Sequence, residues 1–330
     1  FEPELQGVSY EAEASLLREE YTKQEAASMF SRLAETVTAE PFVSTIRKIE
    51  QIAQRFEGLS KKPTNEGFIT LFGELVERRA HPDAMPGLPT GIRAVDELIG
   101  GLQGGHLIVI GARTGEGKTA LGLQIAGVAA LAAGKRCHVV SCEMSESDVL
   151  FRVLSQQTGV PGSRIVRGGL PGDLAKLADC VEAFGDLVEV SEPAGTFDLF
   201  LGSLREALER GVSCVLVDYI QLLNIDSDKP RHLAVAQVSS ELKRLARRYH
   251  TPIIALSQLN RESDKGARMP TVADLKDSGA IEQDADVILL LHRDESEATL
   301  SVAKNRRGSQ GVVSMVYDGP TYTFYEKHKH

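Results

Sequence analysis

The chain has 330 residues, 42% of them hydrophobic and 25% charged, an ordinary globular balance with room for one large domain and something smaller. Its formal net charge of -9 excludes a polycation that coats nucleic acid through a global field, so any nucleic-acid contact has to be local. No uninterrupted apolar run approaches the roughly 20 residues of a membrane helix, and Cys137, Cys142, Cys180 and Cys214 show no CxxC spacing.

The acidic opening FEPELQGVSYEAE lacks the basic and apolar regions of a signal peptide, and three of the four cysteines lie in apolar stretches, as buried free thiols do. These features predict a soluble protein of a reducing cytoplasm. The chain begins at Phe1 rather than Met, as a fragment of a longer protein would, and the closing EKHKH is set outside the fold reading. Residues 1–80 are polar and rich in Glu, Ala, Lys and Arg, with apolar residues at helical spacing. Phe68, Leu71, Phe72, Leu75 and Val76 mark one helix face after the capping residues Thr64 and Asn65. That stripe folds back on its own domain or docks on a neighbouring subunit. Residues 81–91, with prolines and glycines in AHPDAMPGLPTG, read as a linker or domain entrance.

From residue 92 the pattern predicts an α/β domain extending to 326. Short apolar runs alternate with helical stretches: HLIVIG, a helix from Lys118, CHVVSCE, a helix from about Glu146, VSCVLVDYIQLL, a helix from about Leu233, PIIALSQL and ADVILLLHR. Apolar runs without polar alternation are expected of strands buried on both faces of a parallel sheet. The closing ATLSVAKNRRG, GVVSMVY and PTYTFYE lack helices and read as an antiparallel edge.

GARTGEGKT, residues 111–119, matches GxxxxGK[ST] with its required strand before and helix after. Such a loop closes backbone N–H groups around phosphate oxygens at a helix N-terminus. Gly111, Thr114, Gly115 and Gly117 lie in the loop, Lys118 reaches the terminal phosphates of an NTP, and the Thr119 hydroxyl serves Mg²⁺. A magnesium site also needs a carboxylate near the phosphates, for which Asp218 at the end of CVLVD is the candidate; the alternative is an Asp that caps the next helix. Glu143, after another apolar strand, has the chemistry of a base for the attacking water, although Glu-Met-Ser also reads as a helix start. Gln258 in IIALSQLNRE stands at a strand end, suited to sensing the γ-phosphate. In AKNRRG, alternation places Lys304 and Arg306 on one face and Asn305 and Arg307 on the other, with no acidic residue beside them in sequence. Arginine suits phosphoryl-transfer charge, and a solvated basic hairpin is the rival reading.

The order GLPTGIRAVDELIGGLQGGHLIVIGARTGEGKT, SCEMS, VDYIQLL, LSQLNRE, DLKDSGAIEQDADVILLLHR and AKNRRG resembles the RecA-type motor domain of DnaB-type replicative helicases over roughly residues 86–318. The resemblance implies a RecA-like P-loop NTPase core, and a homo-oligomeric, hexameric ring that moves 5′ to 3′ on single-stranded DNA by hydrolysing ATP or another NTP between subunits. It implies Mg²⁺ at Thr119 and Asp218, Glu143 as catalytic base, Gln258 as coupler, and Lys304 and Arg306 acting in the adjacent subunit's site. It also implies DNA-holding loops at about 224–232 and 262–270, carrying Lys229 and Arg231 in the first and Arg261, Lys265 and Arg268 at the second. A few phosphate contacts repeated around a ring suit an acidic chain. A primase, fused or recruited, a helicase loader, and a bacterial or phage-infected cell belong to the same expectation, with residues 66–79 as the docking helix. Two departures stand out: the loop carries Thr-Gly-Glu where the family usually has Pro-Ser-Met, and the first 80 residues have no obvious family match. The competing reading is a RecA-fold ATPase, recombinase-like or clamp-like, that grips or loads on DNA without unwinding it.

Overall fold

The computed structural model describes residues 85–327 apart from 193–195, 219–230, 260–267 and 276–277. The predicted docking helix at 66–79 lies outside the described residues. Among those described, nine strands form one sheet in the order β3-β2-β4-β5-β1-β6-β7-β8-β9. The strands are β1 Leu107–Ala112, β2 Cys137–Ser141, β3 Val188–Ser191, β4 Cys214–Asp218, β5 Ile253–Gln258, β6 Val287–Asp294, β7 Glu297–Asn305, β8 Gly311–Asp318 and β9 Thr323–Glu326. Strands β1 to β6 are joined by parallel pairings, and β6 to β9 follow as an antiparallel meander, the architecture read from the sequence.

Both faces of the parallel strands are covered, and this is why their sequences lack polar alternation. Ile108, Ile110, Leu216, Ile254, Leu256 and Leu289 point into one core, and Leu107, Val109, Val215, Val217, Ile253 and Leu290 into the other. Each fully buried side chain of this kind contributes about 1.5–3 kcal/mol. The helices are α1 Arg93–Ile99, α2 Lys118–Ala133, α3 Glu146–Thr158, α4 Gly162–Val166, α5 Pro171–Phe184, α6 Phe197–Glu209, α7 Arg231–Tyr249 and α8 Ser278–Asp284. Helix α2, built from Ala, Gly and Leu, lies close on the sheet: a Cβ at Gly122 would stand 3.1 Å from the methyls of Leu216 and Leu256. Helices α6 and α7 cover the other face with Phe200, Leu204, Val238 and Leu242.

Three details differ from the sequence reading. Helix α7 begins at Arg231, two residues before the expected start. The end of the expected linker is fastened to the domain. The Gly87 N–H donates to the Gly100 carbonyl at 2.9 Å, Leu88 and Leu102 exchange two backbone bonds, and the Thr90 N–H donates to the Asp96 carboxylate at 2.9 Å. Proline and glycine mark an irregular backbone without saying whether it is free, and here long-range bonds tie it down. Finally, β3 and the helices between 162 and 209 add a layer beyond β2 that apolar runs did not announce.

Candidate functional site

Parallel strands align their C-terminal ends, and a crevice at that edge is where an open α/β sheet holds ligands. The loop after β1, Glu143 just beyond β2, Asp218 ending β4 and Gln258 ending β5 all arrive there. The Gly117 backbone has φ +100, a left-handed conformation that a Cβ resists, and that Cβ would also meet the Phe324 ring at 2.9 Å. Helix α2 starts immediately afterwards with no side-chain cap, so its first N–H groups remain for a phosphate.

Thr114, Gly115, Gly117, Lys118, Thr119, Glu143 and Gln258 line one cleft of about 340 Å³. Gly111 lies within β1 instead, packed against Leu275 and Leu290. Asp218, 2% exposed, lies beneath the cleft. Its Oδ2 accepts from the Thr119 hydroxyl at 2.7 Å, while Oδ1 stands 3.3 Å from Lys118 Nζ. That Oδ1 is buried and accepts no hydrogen bond. A hard cation takes oxygen ligands, so a hydroxyl and a carboxylate with an unsatisfied buried oxygen fit Mg²⁺. Glu143 keeps its side chain 57% exposed, 3.9 Å from Lys118 Nζ. It does not begin the next helix. A turn held by the Ser141 hydroxyl on both backbone groups of Met144 presents it, and Ser145 caps α3 by accepting from the Asp148 N–H. Gln258 Nε2 donates to the Thr114 hydroxyl at 2.6 Å, tying β5 to the phosphate loop.

Several cleft residues had no sequence signal. Arg152 from α3 stacks over the Tyr322 ring at 5.5 Å, Arg293 from β6 lies over Tyr317 at 4.7 Å, and Tyr317 packs on Phe324 with centroids 4.6 Å apart. Arg152, Tyr317 and Tyr322 all line the cleft, the two tyrosines carried there by the antiparallel edge.

Lys304 and Arg306 share a side, as alternation predicts, but they are absent from that cleft. Asn305, which ends β7, pairs with Val287, which begins β6, whereas the phosphate loop meets the far end of β6 at His292. Lys304 donates to the carbonyls of Glu282 and Ala285, and Arg306 to that of Gln283, so both cap the last turn of α8. Burial, then the neighbouring Arg306 charge, holds Lys304 below its ordinary pKa. Arg306 also has an acidic neighbour in space: Asp286 Oδ1 lies 3.8 Å from its Nη1. The two basic residues line a separate open hollow of about 570 Å³ with Gly279, Glu282 and Gln283.

Of the residues expected at DNA, Lys229, Arg261 and Lys265, and the side chain of Arg231, lie outside the described residues. Arg268 forms a bidentate pair with Asp274 at 2.6 and 2.9 Å, and this pairing leads the causes that hold the Asp274 carboxyl down to about 2. Its guanidinium therefore braces the short 3₁₀ turn at Val272–Asp274.

The model of the DnaB-like helicase C-terminal domain matches residues 87–326. The replicative DNA helicase DnaB of Treponema pallidum is 33% identical over 304 residues, 87% of this chain and 69% of that protein. DnaB of Leifsonia xyli is 34% identical over 267 residues, 76% of this chain and 58% of that protein. A probable plasmid replicative DNA helicase of Chlamydia muridarum is 35% identical over 249 residues, 72% of this chain and 54% of that one. The chain thus spans 54 to 69% of the length of these relatives. Among solved structures, an ATPase domain is similar with a TM-score of 0.74 and 26% identity, covering 81% of this chain and all of that one. A DnaB-like replicative helicase, described with its interactions with primase, has the same fold with a TM-score of 0.78 at 24% identity, covering 97% of this chain and 80% of that one. With its phosphate loop, the carboxylates beneath and beside it, and a family match over most of its length, the chain belongs to the DnaB-like helicase C-terminal domain family.

Proposed function

We propose that this chain is the ATP-driven motor of a replicative DNA helicase, which translocates 5′ to 3′ on single-stranded DNA as a homo-oligomeric, hexameric ring. The observation that carries the reading is the meeting of Lys118, Thr119, Asp218, Glu143 and Gln258 at the C-terminal ends of four strands, around a helix N-terminus. ATP, or another NTP, is the substrate. Lys118 neutralises its terminal phosphates, and the N–H groups opening α2 hold the phosphate oxygens. The Thr119 hydroxyl and Asp218 would hold Mg²⁺, which would neutralise phosphate charge when bound. Glu143 takes a proton from the water that attacks the γ-phosphorus, while the bond to the leaving ADP oxygen breaks. Gln258, bonded to Thr114, links that event to the segment beyond β5.

Lys304 and Arg306 stand at the opposite end of β6 from their own phosphate loop, which favours action in a neighbouring subunit's site. Basic loops near 224–232 and 262–270 hold the DNA backbone, with Lys229, Arg231, Arg261 and Lys265 as phosphate contacts. A primase, fused or recruited, and a loader are the partners of such a motor in the cytoplasm of a bacterial or phage-infected cell.

Strand displacement from a forked DNA with a 5′ tail, with hydrolysis followed in the same tube, tests the reading. Displacement is expected with the wild type, and Lys118→Ala loses about 10²-fold or more of the hydrolysis, and displacement with it. Normal turnover in Lys118→Ala sinks the site. DNA-stimulated hydrolysis without displacement favours a clamp that grips DNA.

A further inference from the structure

The phosphate loop contains a buried acid that phosphate binding does not require. Glu116 is 8% exposed. Its Oε2 accepts from the Arg113 N–H at 3.1 Å, and its own N–H donates to the Arg113 carbonyl at 3.3 Å, so the front of the loop closes on itself. Its Oε1 takes Arg113 Nη1 at 3.4 Å and lies 3.0 Å from His292 Nδ1 at the end of β6. The same ring nitrogen is 3.0 Å from Arg113 Nη1. The second guanidinium nitrogen, Arg113 Nη2, donates to the Arg268 carbonyl at 3.3 Å.

Arg268 is where the chain returns from an excursion that leaves at Gln258. Leu259 and Leu275 form an antiparallel bridge across its neck, and the Asp274 carboxylate fixes Arg268 by its side chain and Thr271 by its N–H and hydroxyl. The outgoing side is fastened to the phosphate loop through Gln258 and Thr114. Arg113 fastens the returning side to the same loop.

We propose that Arg113, gripped by Glu116 and His292, is a positioning residue that couples the phosphate loop to the returning end of the 259–275 excursion. The inference rests on the reading of the cleft as an ATP site and of this excursion as bearing on DNA. His292 Nδ1 accepts from Arg113 in one tautomer and donates to Glu116 in the other, so the ring holds one of the two at a time. Among the described residues, Arg293 Nε also donates to the Glu116 carbonyl at 3.1 Å.

The test is ATP hydrolysis by the full chain with and without oligothymidine. In Arg113→Met the ratio of DNA-stimulated to DNA-free rate is expected to fall about fivefold or more, the low end of a typical coupling energy. A merely structural role lowers both rates together and leaves the ratio alone. His292→Phe leaves the loop residues in place and carries the test even where Arg113→Met does not fold. Its DNA-free rate is expected to stay within about twofold of wild type, while its ratio falls. Ratios within about twofold of wild type in both variants, each folded, overturn the coupling and leave the ATP site standing. If the wild type hydrolyses nothing under any condition, the reading of the site falls, and the coupling with it.

Discussion

Lys118 is one cation between two carboxylates, 3.3 Å from Asp218 and 3.9 Å from Glu143, and the three occupy different environments. Asp218 is 3% exposed at its side chain and accepts from the Thr119 hydroxyl, which suits the proposed metal ligand, while Glu143 is 57% exposed, which suits the proposed base. Burial separates the two proposed roles: the buried carboxylate is fixed by its partners, and the exposed one faces solvent. Arg306 belongs to neither role in its own subunit, being bound at the C-terminal turn of α8. Arg306→Ala is therefore expected to leave nucleotide binding largely intact and to lower turnover by roughly 10³-fold, the effect of removing an arginine that stabilises phosphoryl-transfer charge. Mixing Arg306→Ala with Glu143→Gln subunits, which are inactive yet supply Arg306, is expected to restore part of the turnover. If every mixing ratio gives only the sum of two dead proteins, Arg306 does not act across subunits.

At the scale of elements, the cleft depends on how the antiparallel edge is fastened to α2. Gln124 is the fastener: its Nε2 donates to the Phe324 carbonyl and its Oε1 accepts from the Phe324 N–H, both at 2.8 Å, in a site where Gln124 is 8% exposed. Gln156 of α3 adds bonds to the Ala120 and Tyr322 carbonyls. These amides do for β9 and the preceding turn what a further helix would do by packing, and they bring Tyr322 and Tyr317 over the phosphate loop. Gln124→Leu keeps the volume but leaves two buried backbone groups of β9 unpaired, which costs about 2 kcal/mol or more. The urea midpoint is expected to fall by the corresponding amount, with nucleotide affinity weakened as well. An unchanged midpoint would show that β9 is held by its pairing with β8 alone.

For the whole molecule, two buried histidines contribute to the loss of stability on the acid side. Burial lowers the pKa of His138, despite the opposing charge of Glu189, and of His106, despite that of Asp286. Folded pKa values below the ordinary ~6.5 mean that the unfolded chain takes up protons first. Their contribution is thus present above about pH 6.5 and is lost as the pH falls through that value toward the lower folded ones. Melting temperature is expected to drop between about pH 7.5 and about pH 5.5, and His138→Gln should flatten that drop. A melting curve indifferent to pH over this window would mean that neither ring has to stay neutral.

Much of this architecture was legible in one dimension. The runs that became β1, β2, β4, β5 and β6 are apolar at nearly every position because both faces of a parallel sheet are covered, and the glycine pattern before Lys118 is the record of a turn that only certain backbones make. Strand β3, four residues half-buried at the sheet edge, left no such run. The sequence by itself determined the alternating plan and the glycine turn before Lys118, and it placed carboxylates at the ends of buried strands, because burial and turn geometry are written in neighbouring residues. Only the tertiary structure decided that Arg306 meets Asp286, that residues 87–90 are part of the domain, that Tyr317 and Tyr322 wall the cleft, and that Glu116 finds His292. Glu116 and His292 lie 176 residues apart in the chain. Strand order, which no local pattern encodes, is what sets such partners side by side.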